Sequence, residues 1–171
     1  KVKKTPSRRK FFKAAAATGV AAVAASSLAA PAVAAERIEA SMVATWGRDF
    51  PGLGTGAQRF AQRITDMSDG RIQVTYYAAN ERVKAFDSFD EVASGNSQMY
   101  HAADYYWVKK NPAWGYFTAV PFGFTYTEMN AWIRFAGGQE LWDELADGFG
   151  LKNFMCGDTG VQMGGWFNKK I

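Results

Sequence analysis

Polar and apolar residues follow regular spacings in the part of the chain that comes after residue 36. Residues 37–46 alternate between the two classes, which predicts a β-strand. Thr55 can cap a helix that runs to about Ser68, and Gly70 suits the left-handed turn that ends a helix. Residues 71–77 alternate again and predict a second strand, so the order strand–helix–strand predicts a right-handed parallel crossover. The apolar positions on one face of this helix are Ala57, Phe60, Ala61, Ile64 and Met67.

Further elements are predicted along the rest of the chain. Residues 78–83 form a loop, and residues 86–94 form a short helix that Gly95 ends. Residues 97–102 predict a third strand, and residues 127–135 and 139–146 predict two helices separated by a pair of glycines. Residues 151–155 and 161–167 are the last strand candidates. Strands that alternate with helices indicate an α/β fold with a sheet flanked by helices.

The first 34 residues have the organisation of an export signal. Residues 1–13 carry seven positive charges and no negative one, residues 14–34 are uncharged, and Ala32 and Ala34 stand at the spacing of a cleavage site. The paired arginines at 8 and 9, followed by two phenylalanines and a lysine at 11–13, resemble a twin-arginine signal. The alternative is an uncleaved membrane anchor, which the alanine-rich composition disfavours. We therefore expect a mature protein that starts at residue 35.

Removing residues 1–34 reverses the sign of the net charge. The whole chain has 20 Lys and Arg against 16 Asp and Glu, and the remainder has 13 against 16. No basic patch with interleaved aromatics remains, so we expect no nucleic-acid partner. A single cysteine, Cys156, and a single histidine, His101, disfavour a zinc or iron–sulfur site and any redox cofactor. We expect Cys156 to be a small core residue.

Ten aromatic residues lie between positions 100 and 126, counting both ends. They can form the hydrophobic core of the domain or line a pocket for a small molecule, and the core is the usual place for such rings. Tyr100 is the better pocket candidate, because it lies near the carboxyl end of a predicted strand, where ligands of open α/β sheets bind. Its neighbour His101 would face the opposite way and is expected to be structural.

A glycine-rich stretch near the end of the chain carries the strongest candidate for chemistry. Residues 157–167 contain four glycines, and Gln162 stands there between Val161 and Met163. Glycines let a backbone approach a ligand closely. The Gln162 amide either lies on the exposed face of a strand or contacts a bound polar species.

Five stretches together resemble one family, the extracytoplasmic solute-binding subunits of tripartite ATP-independent periplasmic (TRAP) transporters. They are Met-Tyr-His-Ala-Ala-Asp-Tyr-Tyr at 99–106, Phe-Thr-Ala-Val-Pro-Phe-Gly at 117–123, Met-Asn-Ala-Trp at 129–132, Gly-Gly-Gln-Glu-Leu-Trp at 137–142, and residues 159–167. The stretches are most similar to the branch that binds 2-oxo or 2-hydroxy acids with a cation. The resemblance extends over nearly the whole mature chain.

The resemblance implies a two-lobed α/β protein with a mixed sheet, which binds a small organic acid in its cleft and delivers it from the periplasm to a membrane permease. It places Gln162 against the solute and against a bridging Na⁺ or Ca²⁺, for which an amide oxygen is a suitable ligand. Tyr100 is implied as a hydrogen-bond donor to the solute, and Tyr105 and Asp158 are further candidate contacts. A homodimer of the full-length protein is also implied.

Two positions depart from the family pattern, and part of the family's site is missing from the sequence. Asp158 stands where the family suggests Asn, and an acid there repels an anionic solute unless it faces the cation or solvent. Asn168 stands where an Arg is expected. The arginine that clamps the carboxylate, an acidic cation ligand and the dimer helices belong to the family's second lobe, so residues 35–171 are expected to be an incomplete first lobe.

Two other functions fit part of the sequence. A periplasmic redox enzyme fits the twin-arginine signal, but the chain has no dinucleotide fingerprint, no nucleophile elbow and no set of metal ligands. We therefore expect no enzymatic activity. A ligand sensor with the same fold would have the same sequence features, because the partner decides between sensing and transport.

Overall fold

The computed structural model describes residues 37–160 and 165–170. The predicted export signal and Gln162 lie outside these residues. Three strands form one parallel sheet in the order β2-β1-β3, namely β1 (Ile38–Ala44), β2 (Ile72–Tyr77) and β3 (Met99–His101). Helix α1 (Leu53–Met67) joins β1 to β2, so the predicted parallel crossover is confirmed.

β1 is the central strand, and this explains a departure from its predicted alternation. Its last four residues are all buried, including Met42 and Val43, although they alternate in direction. A parallel strand with neighbours on both edges is covered on both faces, so its sequence need not alternate. The predicted mixed sheet is seen only as parallel pairs in the described part of the chain.

Helix α1 packs on the sheet through small residues. Ala57 and Ala61 are buried against Met42 and Val74, whereas Phe60 is half exposed and Met67 is 87% exposed. Phe60 and Met67 lie at the edge of the predicted apolar face, about 90° or more around the helix from its buried centre. The predicted Thr55 cap is wrong, because the helix begins two residues earlier, after Gly52, with no side-chain cap.

The segment after β2 supplies most of the core. A 3-10 turn (Ala85–Asp87) leads into α2 (Ser88–Ala93), and two more 3-10 turns (Asp104–Trp107 and Pro112–Phe117) follow β3. Helices α3 (Tyr126–Phe135) and α4 (Gly138–Asp147) then pack against them. Thr125 and Glu128 form a complete capping box at the start of α3. Within the described ranges, no helix is both long and apolar enough to cross a bilayer.

Half of the rings in the predicted aromatic region belong to the core. The buried cluster under α3 and α4 consists of Phe89, Trp107, Trp114, Phe117, Met129, Ile133, Trp142, Ala146 and Leu151. Rings dominate it because each buries a large apolar area. The core interpretation of the aromatic run is therefore confirmed for half of its ten rings, and the other five are exposed, namely Tyr105, Tyr116, Phe122, Phe124 and Tyr126.

The last predicted strands are not formed in the described residues. Residues 151–155 keep the predicted alternation, because Leu151 and Asn153 are buried and Lys152 and Phe154 are exposed, but they pair with no strand. The strand predicted over 161–167 lies partly outside the described residues, and Trp166 in its second half is 90% exposed. A period of two thus marks an extended chain packed on one face, which needs no ladder partner.

Candidate functional site

Tyr100, one of the candidate residues, lies at the carboxyl edge of the parallel sheet. β1 lies between β2 and β3, so the order of the strands along the chain changes direction at β1. Ligands of open α/β sheets bind beyond the carboxyl ends of the strands at such a point. Trp46 follows β1 there, and Tyr100 and His101 end β3.

The ring of Tyr100 lies in the core, and its hydroxyl group belongs to a polar network. The ring packs on Trp107 with centroids 5.3 Å apart and on Phe89 at 6.1 Å. Nδ2 of Asn153 donates a hydrogen bond to the hydroxyl oxygen over 2.9 Å. Burial and the nearby Asp104 carboxylate raise the pKa of Tyr100, so the hydroxyl keeps its proton at neutral pH.

Asp104 is the centre of this network. It is 3% exposed, and its Oδ2 accepts a hydrogen bond of 2.6 Å from Nε1 of Trp142. Nδ2 of Asn153 lies 3.2 Å from the same oxygen and 3.4 Å from Oδ1. Burial raises the pKa of Asp104 to about 7, although the two donors act in the opposite direction. A carboxyl group held this way is close to half protonated at neutral pH.

Sequence reasoning did not identify Asp104, Asn153 or Trp142 as a unit. Asp104 stands two residues after the end of the predicted third strand, Trp142 stands on α4, and Asn153 follows α4. The signal in the sequence is Asn153 itself, a polar residue at a buried position of an alternating apolar segment. A buried amide needs partners, so such a position indicates a network even when its members are unknown.

The single histidine and the single cysteine meet on the other side of β3. Sγ of Cys156 lies 3.2 Å from Nδ1 of His101, whose ring contacts Trp46 edge to face at 5.1 Å. Burial lowers the pKa of His101 and raises the pKa of the Cys156 thiol, so both groups are neutral at pH 7. The pair is a neutral hydrogen bond and does not contain an activated thiolate.

His101 faces away from Tyr100, as predicted for neighbouring residues of a strand. The prediction that Cys156 is a core residue is wrong, because the residue is exposed, although its thiol is partly covered where it meets His101. Its segment crosses the end of β3 and does not insert into the sheet as a strand.

The other predicted contacts lie apart from this network in the described residues. Tyr105 is 37% exposed, and its ring meets Tyr106 edge to face with centroids 4.7 Å apart. Asp158 is exposed, and its Oδ1 accepts a local hydrogen bond of 3.1 Å from the backbone nitrogen of Gly160. No contact described between residues 37 and 160 joins either side chain to Tyr100. Gln162 lies outside the described residues.

A cavity of about 780 Å³ lies away from these residues, between the 3-10 turn at Pro112–Phe117 and helices α3 and α4. Aromatic and aliphatic side chains line it, among them Phe117, Trp132, Leu145 and Phe149, and its single charged lining residue is Glu144. A mostly apolar lining whose one charged residue is acidic does not suit a carboxylate. The cavity is therefore not the candidate acid site, and none of the predicted site residues lines it.

Cation ligands within the described residues are few. No group of three or more His, Cys, Asp or Glu side chains is arranged to hold a metal ion in residues 37–160 and 165–170. The oxygen expected to bind a cation is the Gln162 amide, outside these ranges.

The described residues define an α/β fold with a buried polar network at Tyr100, near the carboxyl edge of a parallel sheet. The DctP family, described as bacterial extracellular solute-binding protein family 7, matches residues 43–171. The chain belongs to this family.

Solved and curated relatives agree with this assignment. A curated monocarboxylate 2-oxoacid-binding periplasmic protein of Nostoc is 36% identical over 130 residues, which are 76% of this chain and 35% of the relative. A TRAP periplasmic solute-binding protein of Pseudoalteromonas atlantica, solved with bound sodium and pyruvate, is 43% identical with a TM-score of 0.75, over 79% of this chain and 41% of that one. One of Colwellia psychrerythraea, solved with calcium and pyruvate, is 40% identical with a TM-score of 0.75, over 78% and 41%.

The expected family and α/β fold are thus confirmed. The chain spans about two fifths of the length of these solved relatives and about a third of the curated one.

Proposed function

We propose that the protein is the solute-binding subunit of a TRAP transporter. It captures a small 2-oxo or 2-hydroxy monocarboxylate together with Na⁺ or Ca²⁺ in the periplasm and delivers the acid to the membrane permease. The observation that carries the proposal is the match to two solute-binding proteins, each at least 40% identical, whose structures hold pyruvate with sodium or with calcium. A homodimer and the absence of enzymatic activity belong to the same proposal.

In this proposal two groups of the chain have distinct roles. The uncharged Gln162 amide gives its oxygen to the cation, which can then bridge to the solute's carboxylate and 2-oxo or 2-hydroxy oxygen. The neutral Tyr100 hydroxyl donates a hydrogen bond to the solute. Tyr105 and Asp158 are weaker candidates, because Asp158 is an exposed acid that adds repulsion for an anion.

Variants of Gln162 in the full-length protein test this site. Gln162→Ala should weaken pyruvate binding about ten- to a hundredfold, since a lost bond to a charged group costs about 1.5–3 kcal/mol. Gln162→Glu should bind the cation at least as well and pyruvate worse, because it adds a negative charge beside an anion. Calorimetry at a fixed Na⁺ concentration measures both effects.

Gln62→Ala is the matched control for this experiment. Gln62 lies on α1, and its amide hydrogen-bonds Asp66 one turn away on the same helix at 2.8 Å. Its replacement should leave pyruvate affinity unchanged. Unaltered affinity in both Gln162 variants would make Gln162 an ordinary strand residue and contradict its assigned role.

We also propose export by the twin-arginine route and cleavage after Ala34. The paired Arg8 and Arg9 before two phenylalanines, and the small residues at 32 and 34, support this route. Replacing both arginines by lysine should leave the precursor in the cytoplasm. Normal periplasmic yield of the double-lysine protein would show that another route exports it.

A further inference from the structure

We propose that Asn153 and Asp104 are positioning residues for Tyr100, which hold its hydroxyl oxygen as a hydrogen-bond acceptor and so leave its proton for the carboxylate of the solute. The inference rests on the proposed function, because it takes Tyr100 as a donor to that solute. Neither positioning residue is expected to touch the solute itself, since Asp104 and Asn153 are 3% and 7% exposed.

The first step concerns the proton of Tyr100. An amide nitrogen can only donate, so the 2.9 Å bond from Nδ2 of Asn153 makes the tyrosine oxygen the acceptor. The hydroxyl group still has one proton to donate. No hydrogen bond within residues 37–160 and 165–170 uses that proton, which is therefore available to a ligand.

The second step concerns the orientation of the Asn153 amide. Its Nδ2 faces both carboxylate oxygens of Asp104, at 3.2 and 3.4 Å. At pH 8, where Asp104 is mostly ionised, reversing the amide would place its oxygen against the carboxylate oxygens, which repel it, and would let it accept the Tyr100 proton instead. Asp104 thus fixes the direction of the hydrogen bond to Tyr100.

A buried amide oxygen without a hydrogen bond supports this orientation of Asn153. Oδ1 of Asn153 is buried and has no hydrogen-bond partner among the described residues. An unpaired buried carbonyl is costly, and the amide adopts this orientation because both protons of Nδ2 then reach acceptors. The arrangement favours donation toward Tyr100 at the expense of the amide's own oxygen.

The third step is the rigidity of the frame. Nε1 of Trp142 fixes the Asp104 carboxylate at 2.6 Å, and Nε2 of Gln139 donates to the backbone oxygen of Asn153 at 2.9 Å. Both donors stand on α4, so a regular helix holds both positioning residues. Sites supported in this way keep their hydrogen-bond geometry when a ligand arrives.

The proposal predicts a coupling between Asn153 and Tyr100. In the full-length protein at pH 8 with Na⁺, Tyr100→Phe should weaken pyruvate binding about tenfold. Asn153→Ala should weaken it roughly three- to tenfold, but by less than about twofold in the Tyr100→Phe background, because it acts through the missing hydroxyl. Asp104→Asn should follow the same pattern and serves if Asn153→Ala does not fold. Calorimetry gives the four dissociation constants of each cycle.

A spectroscopic measurement and a control separate positioning from general loss of structure. With tyrosine labelled with ¹³C at its ζ carbon, Asn153→Ala should shift the Tyr100 resonance without any ligand. Asn111→Ala is the matched control, because Asn111 caps the 3-10 turn at Pro112–Phe117 with a 2.9 Å bond to Ala113 and has no bond to Tyr100. It should lower thermal stability and leave pyruvate affinity unchanged.

The outcomes distinguish this inference from the proposed function. Equal losses from Asn153→Ala in both backgrounds, or a Tyr100 resonance that does not move, would overturn the positioning role while leaving solute binding intact. Wild-type protein that binds no 2-oxo acid in the presence of cation would contradict the proposed function itself, and the inference with it.

Discussion

At the scale of single residues, burial rather than sequence position gives Asp104 its properties. Its carboxyl group is 3% exposed and has two nitrogen donors, yet its pKa is raised to about 7 because those bonds do not replace the lost hydration. Asp158, an acid 54 positions further along the chain, is exposed and accepts a hydrogen bond from the backbone nitrogen of Gly160. The two aspartates thus differ in burial and in hydrogen-bond partners.

Asp104 predicts how stability depends on pH. The folded pKa of about 7 lies above the ordinary value of 3.8, so the folded state binds the proton more tightly than the unfolded state. The stabilisation that Asp104 gives the folded state is complete below about pH 4 and decreases as pH rises from 4 to about 7. Above about pH 7 it does not change further. The two pKa values differ by about three units, which corresponds to a loss on the order of 4 kcal/mol in the free energy of unfolding.

Urea unfolding of the wild type and of Asp104→Asn between pH 4 and 8 checks this prediction. The variant cannot ionise at position 104, so the difference in unfolding free energy between the two proteins should change across this range in favour of the variant. Parallel pH profiles would mean that Asp104 has an ordinary pKa in the folded protein.

At the scale of elements, local patterns predicted most of the helices and strands. Three strands, the helix between the first two, and α3 and α4 were predicted because period, capping residues and glycines agree there. The failures have a tertiary cause. β1 is buried on both faces, α1 begins without a side-chain cap, and residues 151–155 pack as an extended chain without a strand partner. Each of these features depends on how elements pack together, which the pattern within a single element does not show.

The contact between α3 and α4 depends on Gly138. A Cβ atom there would lie 2.8 Å from Cα of Ile133 and 2.9 Å from the Trp132 ring, so backbone has to move. We expect Gly138→Ala to lower the free energy of unfolding by about 1–3 kcal/mol.

Gly56 provides the opposite control within α1. A Cβ atom at Gly56 meets nothing within 4 Å, and alanine is the better helix former, so Gly56→Ala should stabilise the protein by about 0.5–1 kcal/mol. Urea unfolding of both variants measures the two effects. Equal effects of the two substitutions would show that α3 and α4 do not approach closely at Gly138.

At the scale of the whole molecule, the candidate site is a prediction from family motifs, and the structure adds a polar network around Tyr100. The motifs around Tyr100 and Gln162 led to the proposed class of ligand, because those residues were recognised as a set. They could not give Asn153 or Asp104 as supporting residues, since the contacts between positions 100, 104, 142 and 153 exist only after α4 has packed beside β3. The carboxyl edge of the sheet is where these separate segments meet.

The most direct measurement of the central claim is the affinity of the full-length protein for pyruvate with and without a cation. Isothermal titration calorimetry in Na⁺ or Ca²⁺, and in a buffer with a large organic cation in place of both, compares the two conditions. If a cation bridges the Gln162 amide and the carboxylate, binding should be at least tenfold tighter with Na⁺ or Ca²⁺ present, a difference of about 1.4 kcal/mol. Equal affinity in all three buffers, or no binding of any 2-oxo or 2-hydroxy acid, would contradict the account.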